Sequence, residues 1–175
     1  YHFTRRKIHM LTDTHCHLFY DQIKVDLESV INRANKMGVD RFICVATNLE
    51  DAVQDAHFIQ ESAPEILPLK QDLYTHLGNI VPSEVVICSS TSGLTMTDIQ
   101  SHCLTPERTV VGHPFNPPYL LPLVEIVGGE KTHSEAVIWV RNFYEYIGKV
   151  PLVMNKEIPG FVATRLQEAL WREAL

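Results

Sequence analysis

The chain has 175 residues, 45% of them hydrophobic and 21% charged, with a formal net charge of −6 at pH 7. That make-up suits a globular domain with a sizeable core and speaks against a general nucleic-acid binder, whose footprint is basic. No apolar run reaches the ~20 residues that a membrane-spanning helix needs, so no membrane partner is expected.

No apolar stretch of leader length follows the basic start "YHFTRRKIHM". The four cysteines, Cys16, Cys44, Cys88 and Cys103, contain no C-x-x-C pair. Free thiols in a reducing compartment, and hence a cytoplasmic location, are expected. Residues 1–9 read as a tail. Residues 10–15 read as a short strand. Residues 26–37 read as a helix with Leu27, Val30, Ile31 and Ala34 on one stripe, Asp26 as N-cap and Gly38 as the stop. "RFICVAT", 41–47, is the continuous apolar run of a buried parallel strand, so residues 10–47 form one β-α-β unit.

The short helix "LEDAVQDA" leads to a strand at 57–61. A helix at 65–77 carries Ile66, Leu69, Leu73 and Leu77, with Pro68 in its first turn, where proline is tolerated. Strands are expected at 84–90, 109–115, 122–129 and 150–155, with a helical turn or two at 97–103. A helix at 134–147 puts Val137, Val140, Tyr144 and Ile147 on one face. "GFVATRLQEALWREAL" reads as a helix over 159–175 with Phe161, Leu166, Leu170 and Trp171 as its apolar groups. Strands alternating with helices imply an α/β fold, a Rossmann-like and mostly parallel sheet covered on both faces. The domain is expected over 10–158.

Three stretches carry chemistry: "VVICSSTSGL", "VVGHPFNPPYLLPLVEIVGG" and "KEIPGFVATRL". With "FIQESAPE" they make residues 48–175 resemble the 3-hydroxyacyl-CoA dehydrogenase family, most closely its carnitine dehydrogenase branch. The resemblance implies that His113 is the base that takes the hydroxyl proton of a secondary alcohol, with Glu125 orienting it. It implies that Ser92 and Asn116 contact the substrate oxygen, that Glu61 lies near the nicotinamide end of an NAD cofactor, and that the last helix opens a further helical domain. The chemistry agrees: a histidine titrates near neutrality and suits proton abstraction, and α/β sheets place ligands at their carboxyl ends. From spacing alone, a histidine before proline is more often structural, and Ser92 fits a turn equally well. Where the family has asparagine in PGF-x-x-N-R, this chain has Thr164.

The family's G-x-G-x-x-G turn, which admits the pyrophosphate, finds no match among the 8 glycines. Instead "LTDTHCHL" and "LESVINRANKMGVDRFICVATNLEDA" make residues 9–56 resemble the start of TatD-type metal-dependent hydrolases. Alternation along a strand turns Asp13, His15 and His17 the same way, and two imidazoles suit zinc or nickel. That family's later ligands are missing, so an adventitious divalent metal is the expected occupant.

The sequence thus reads as a chimera with its seam near Asn48. It is a fragment of an NAD-dependent 3-hydroxyacyl-CoA or carnitine dehydrogenase, weak or inactive on a small-molecule substrate. A catalytically silent scaffold and a metal-dependent hydrolase or DNase are the alternatives. Exposed apolar groups on the last helix predict a homodimer.

Overall fold

The computed structural model describes residues 11–16, 18, 20–44, 48–53 and 56–174. The chain divides into two compact units between Gln54 and Asp55.

The first unit holds β1 (Leu11–Cys16), α1 (Asp21–Lys24), α2 (Leu27–Lys36), β2 (Val39–Cys44) and α3 (Leu49–Val53). β1 and β2 pair in parallel, and an extra residue in β1 between Asp13 and Cys16 breaks the register. The predicted stripe of α2 is the observed one: Leu27, Val30, Ile31 and Ala34 are its half-buried positions. Asp26 precedes α2 but makes no capping bond. Its carboxylate instead meets Arg33 at 3.5 Å, because its backbone is not extended as a cap requires (φ −136°, ψ 29°). Asn48 does cap α3, accepting from the Asp51 amide at 2.8 Å.

The second unit holds β3 (Phe58–Glu61), α4 (Leu67–Ile80), β4 (Val86–Ser89), α5 (Met96–Ile99), β5 (Thr109–Pro114), β6 (Leu123–Gly128), α6 (Ser134–Tyr146), β7 (Val150–Val153) and α7 (Ala163–Ala174). Its sheet runs β3-β4-β5-β6-β7. Every pairing is parallel except β5 with β6. β4 and the middle of β5 and β6 are buried throughout, whereas β2, expected to be a buried strand from its continuous apolar run, leaves Arg41 and Ile43 exposed. Val86, Cys88, Val110, Val124 and Ile126 pack there against Ala136, Val140 and Tyr144 of α6.

Two predicted faces shift. α4 buries Lys70, Tyr74 and Leu77, while Ile66 before it and Leu69 within it are exposed. A lysine was not counted toward an apolar stripe, but this one has a buried carboxylate to meet. Phe161 does not belong to the last helix: it precedes α7, is fully buried, and has φ 47°. Leu166, Leu170 and Trp171 remain exposed on α7. At the far end of the sheet the Arg108 guanidinium donates to the carbonyls of Val81 and Val85, each at 2.9 Å, and to that of Pro82, closing the end of α4 onto β4.

Candidate active site

His113 lies near the carboxyl end of β5, directly opposite Glu125 on β6. Opposed residues of an antiparallel pair share a face, so twelve residues of sequence collapse to 3.0 Å between His113 Nδ1 and Glu125 Oε2. A carboxylate only accepts, so Nδ1 carries the proton of this contact and Nε2 is the ring nitrogen left for a ligand. Glu125 is 0% exposed and His113 8%.

A buried carboxylate needs partners for every oxygen. Glu125 Oε1 accepts from the backbone amides of Val162 and Ala163, at 2.9 and 2.8 Å. These amides belong to the entry of α7, whose N-terminal dipole favours a negative charge. Gly160 and Phe161 just before them both have positive φ, 74° and 47°. Glycine adopts this without strain; for phenylalanine it costs on the order of 1–3 kcal/mol. The Phe161 and Phe115 rings lie 5.9 and 4.7 Å from the His113 ring, centroid to centroid. The result is an imidazole backed by a buried carboxyl group and walled by aromatics. It can accept a proton at Nε2 and share the resulting positive charge with Glu125.

The Ser92 loop is tied to the same place. The Gly160 amide donates to the Gly93 carbonyl at 3.2 Å, and the Thr164 hydroxyl donates to the Ser92 carbonyl at 3.5 Å. From the other side Glu65 accepts from the Thr91 hydroxyl at 2.5 Å and from the amides of Ser92 and Gly93 at 3.0 and 3.2 Å. Partial burial pulls the Glu65 carboxyl up. The Thr91 hydroxyl, the two amides and the charge of Lys70 outweigh that, and the net position is below the ordinary carboxylate range. Glu65 stood unremarked in the sequence, since a glutamate after proline in a polar stretch carries no spacing signal. Its partners lie 26 to 28 residues away.

Ser92 and Asn116 are exposed. Asn116 begins a cis peptide bond to Pro117. Glu61, the expected cofactor contact, ends β3. It is buried, with Oε1 on Lys70 Nζ at 2.6 Å and on the Ala63 amide at 2.5 Å, and Oε2 on the Ser89 hydroxyl at 2.7 Å. Both oxygens are spent on protein groups. Beside it, Gln60 donates to Ser90 Oγ and to the Gly112 carbonyl and accepts from the Tyr144 hydroxyl at 2.6 Å, which fixes β5 one residue before His113.

Of the expected metal ligands, His15 is on β1 with its side chain outside the described residues, and His17 lies outside them altogether. Among the described residues no group of three His, Cys, Asp or Glu side chains is placed to hold a metal ion.

A buried His–Glu pair at the carboxyl edge of a mostly parallel, Rossmann-like sheet is equipment for proton transfer to and from a ligand at that edge. Comparison with known proteins gives that equipment a lineage. Residues 20–158 match the 3-hydroxyacyl-CoA dehydrogenase NAD binding domain. The chain is 60% identical over 142 residues to an L-carnitine dehydrogenase of Streptomyces coelicolor, covering 81% of this chain and 44% of that protein. It is 56% identical over 128 residues to one of Pseudomonas aeruginosa, covering 73% and 40%. Among solved structures it resembles a 3-hydroxybutyryl-CoA dehydrogenase of Escherichia coli K12, with TM-score 0.72, 26% identity, and 94% and 36% coverage. It also resembles an NAD+-dependent pyridine-carboxylic acid dehydrogenase and dismutase, with TM-score 0.72, 31% identity, and 94% and 55% coverage.

The chain belongs to the family of 3-hydroxyacyl-CoA dehydrogenase NAD-binding domains. It spans less than half the length of these L-carnitine dehydrogenases. The family match begins at residue 20 and runs through Asn48, so α2 and β2 fall within it. Nothing in these comparisons supports a metallohydrolase component or a seam.

The family implies NAD. The phosphate-binding G-x-G-x-x-G of such domains has no match among the chain's 8 glycines.

Proposed function

We propose that this chain carries the proton-abstracting side of an NAD-dependent dehydrogenase for a small 3-hydroxy acid of the carnitine or 3-hydroxyacyl class, with weak turnover by itself. The observation that carries this reading is Glu125, held by two backbone amides on one oxygen and by His113 on the other. His113 Nε2 takes the hydroxyl proton, and Glu125 stabilises the imidazolium that results. Ser92 and Asn116 orient the substrate oxygen. A nicotinamide, when bound, would supply the hydride acceptor of this chemistry. The lack of a G-x-G-x-x-G in the sequence weakens its capture, which is why turnover is expected to be slow.

The test incubates the chain with NAD+ and L-carnitine or 3-hydroxybutyryl-CoA and follows the formation of NADH. Slow oxidation that falls by about 100-fold or more in His113→Gln supports the reading, the range expected for a lost general base. No oxidation at millimolar cofactor and substrate removes it. That outcome favours a catalytically silent α/β scaffold, a reading to which the missing phosphate turn already points.

A further inference from the structure

We infer that Phe161 is a positioning residue for the His113–Glu125 pair. It is the pin that keeps a strained turn aimed at Glu125. The inference rests on the proposed role of that pair and adds a residue that touches neither a proton nor a substrate oxygen.

The turn at 158–163 has three simultaneous ties. The Phe161 amide donates back to the Ile158 carbonyl at 3.1 Å, and the Gly160 amide to the Gly93 carbonyl at 3.2 Å. The next two amides, of Val162 and Ala163, converge on a single oxygen of Glu125. Amides of adjacent residues meet on one acceptor only when the chain preceding them turns sharply. Here the two left-handed residues, Gly160 and Phe161, make that turn. At the second of them glycine would be free of strain, yet the residue is a phenylalanine with no exposed surface. A strained backbone persists only where its surroundings over-determine it. What over-determines this one is the ring, which sits beside the His113 imidazole. Burial of the ring therefore does three things together: it holds the left-handed turn, delivers two amides to Glu125, and anchors the Ser92 loop through Gly93.

Amide hydrogen exchange and the low-field Nδ1 proton of His113, both followed by NMR on the full chain, test this without depending on turnover. In Phe161→Gly, which permits the turn but removes the pin, the Val162 and Ala163 amides should exchange about tenfold faster or more. The His113 Nδ1 signal should broaden or vanish, while the amides of Ile87, Val111 and Ile126 stay within about twofold. Phe161→Leu, which keeps a buried apolar group, should restore the Nδ1 signal and most of the protection at 162 and 163.

Unchanged exchange at Val162 and Ala163 in both variants overturns the inference. So does loss of protection by the same factor at Ile87, Val111 and Ile126, which would make Phe161 an ordinary core residue. Should Phe161→Gly fail to fold, Phe161→Ala, which also removes the ring, decides: faster exchange at 162 and 163 supports the pin, and wild-type protection overturns it. A wild-type chain that shows this pattern but oxidises no alcohol removes the proposed activity and leaves the role of Phe161 standing. Oxidation with no response to either variant does the reverse.

Discussion

Glu61 and Lys70 form a buried ion pair at 2.6 Å, with 2% and 1% of their side-chain surface exposed. Removing one member leaves the other charge without compensation, so Glu61→Leu and Lys70→Met should each lower stability by about 3–5 kcal/mol. The double replacement should cost clearly less than the sum of the two, as denaturant titration of the three variants would show; additive losses would mean that the pair is not coupled. Glu65 behaves differently because 42% of its side chain faces solvent. Its folded carboxyl lies below the ordinary value of 4.5, so its ties to the Ser92 loop are intact above that value and are lost as pH falls through the lower, folded one. The Ser92 and Gly93 amides should therefore become freely exchanging only in acid, and in Glu65→Gln this pH dependence should disappear. A transition persisting in Glu65→Gln would place the titrating group elsewhere. The meeting of His113 with Glu125 was readable in the sequence through the family's motif. Glu65 and Phe161 were not, since one acts through partners on a distant loop and the other through a backbone angle that no side-chain pattern encodes.

β4, β5 and β6 announced themselves through the short apolar runs at 85–88, 110–111 and 126–127, which burial on both faces favours. The antiparallel turn of β6 against β5 had no such signal, yet it alone sets Glu125 opposite His113. Helix faces were readable where burial is apolar, as on α2. They were misread where burial is polar, as on α4, whose inner face includes Lys70. Contacts between elements lie beyond any periodicity. Gly129 follows β6, and a Cβ there would stand 2.7 Å from the Thr97 amide and 2.8 Å from Gln100 Oε1. Gln100 in turn bonds the hydroxyls of Thr109 and Thr132 at 2.7 and 3.2 Å. Gly129→Ala should therefore push α5 off the sheet and cost about 1–3 kcal/mol, the usual penalty of overpacking. An unchanged melting temperature would show that α5 yields without loss.

The two units differ in how much they bury. Among the described residues Val53 is the only fully buried one before Asp55, whereas the second unit contains the core of β4, β5 and β6. Opening free energy follows burial, so the amides of β1 and β2 should exchange well before those of β4 and β6; simultaneous exchange would mean that the whole chain opens as one. The exposed Leu166, Leu170 and Trp171 on α7 predict self-association at high concentration, and a strictly monomeric sedimentation profile would contradict it. The thiol of Cys88 sits on the central strand β4 with no exposure, and burial drives its ionisation far above the range of any ordinary buffer. An alkylating reagent has to wait for that strand to come apart before it finds a thiolate there. The protein thus has its own stopwatch: the rate at which Cys88 is labelled, beside the half-exposed Cys16, measures how often the sheet that carries His113 falls open.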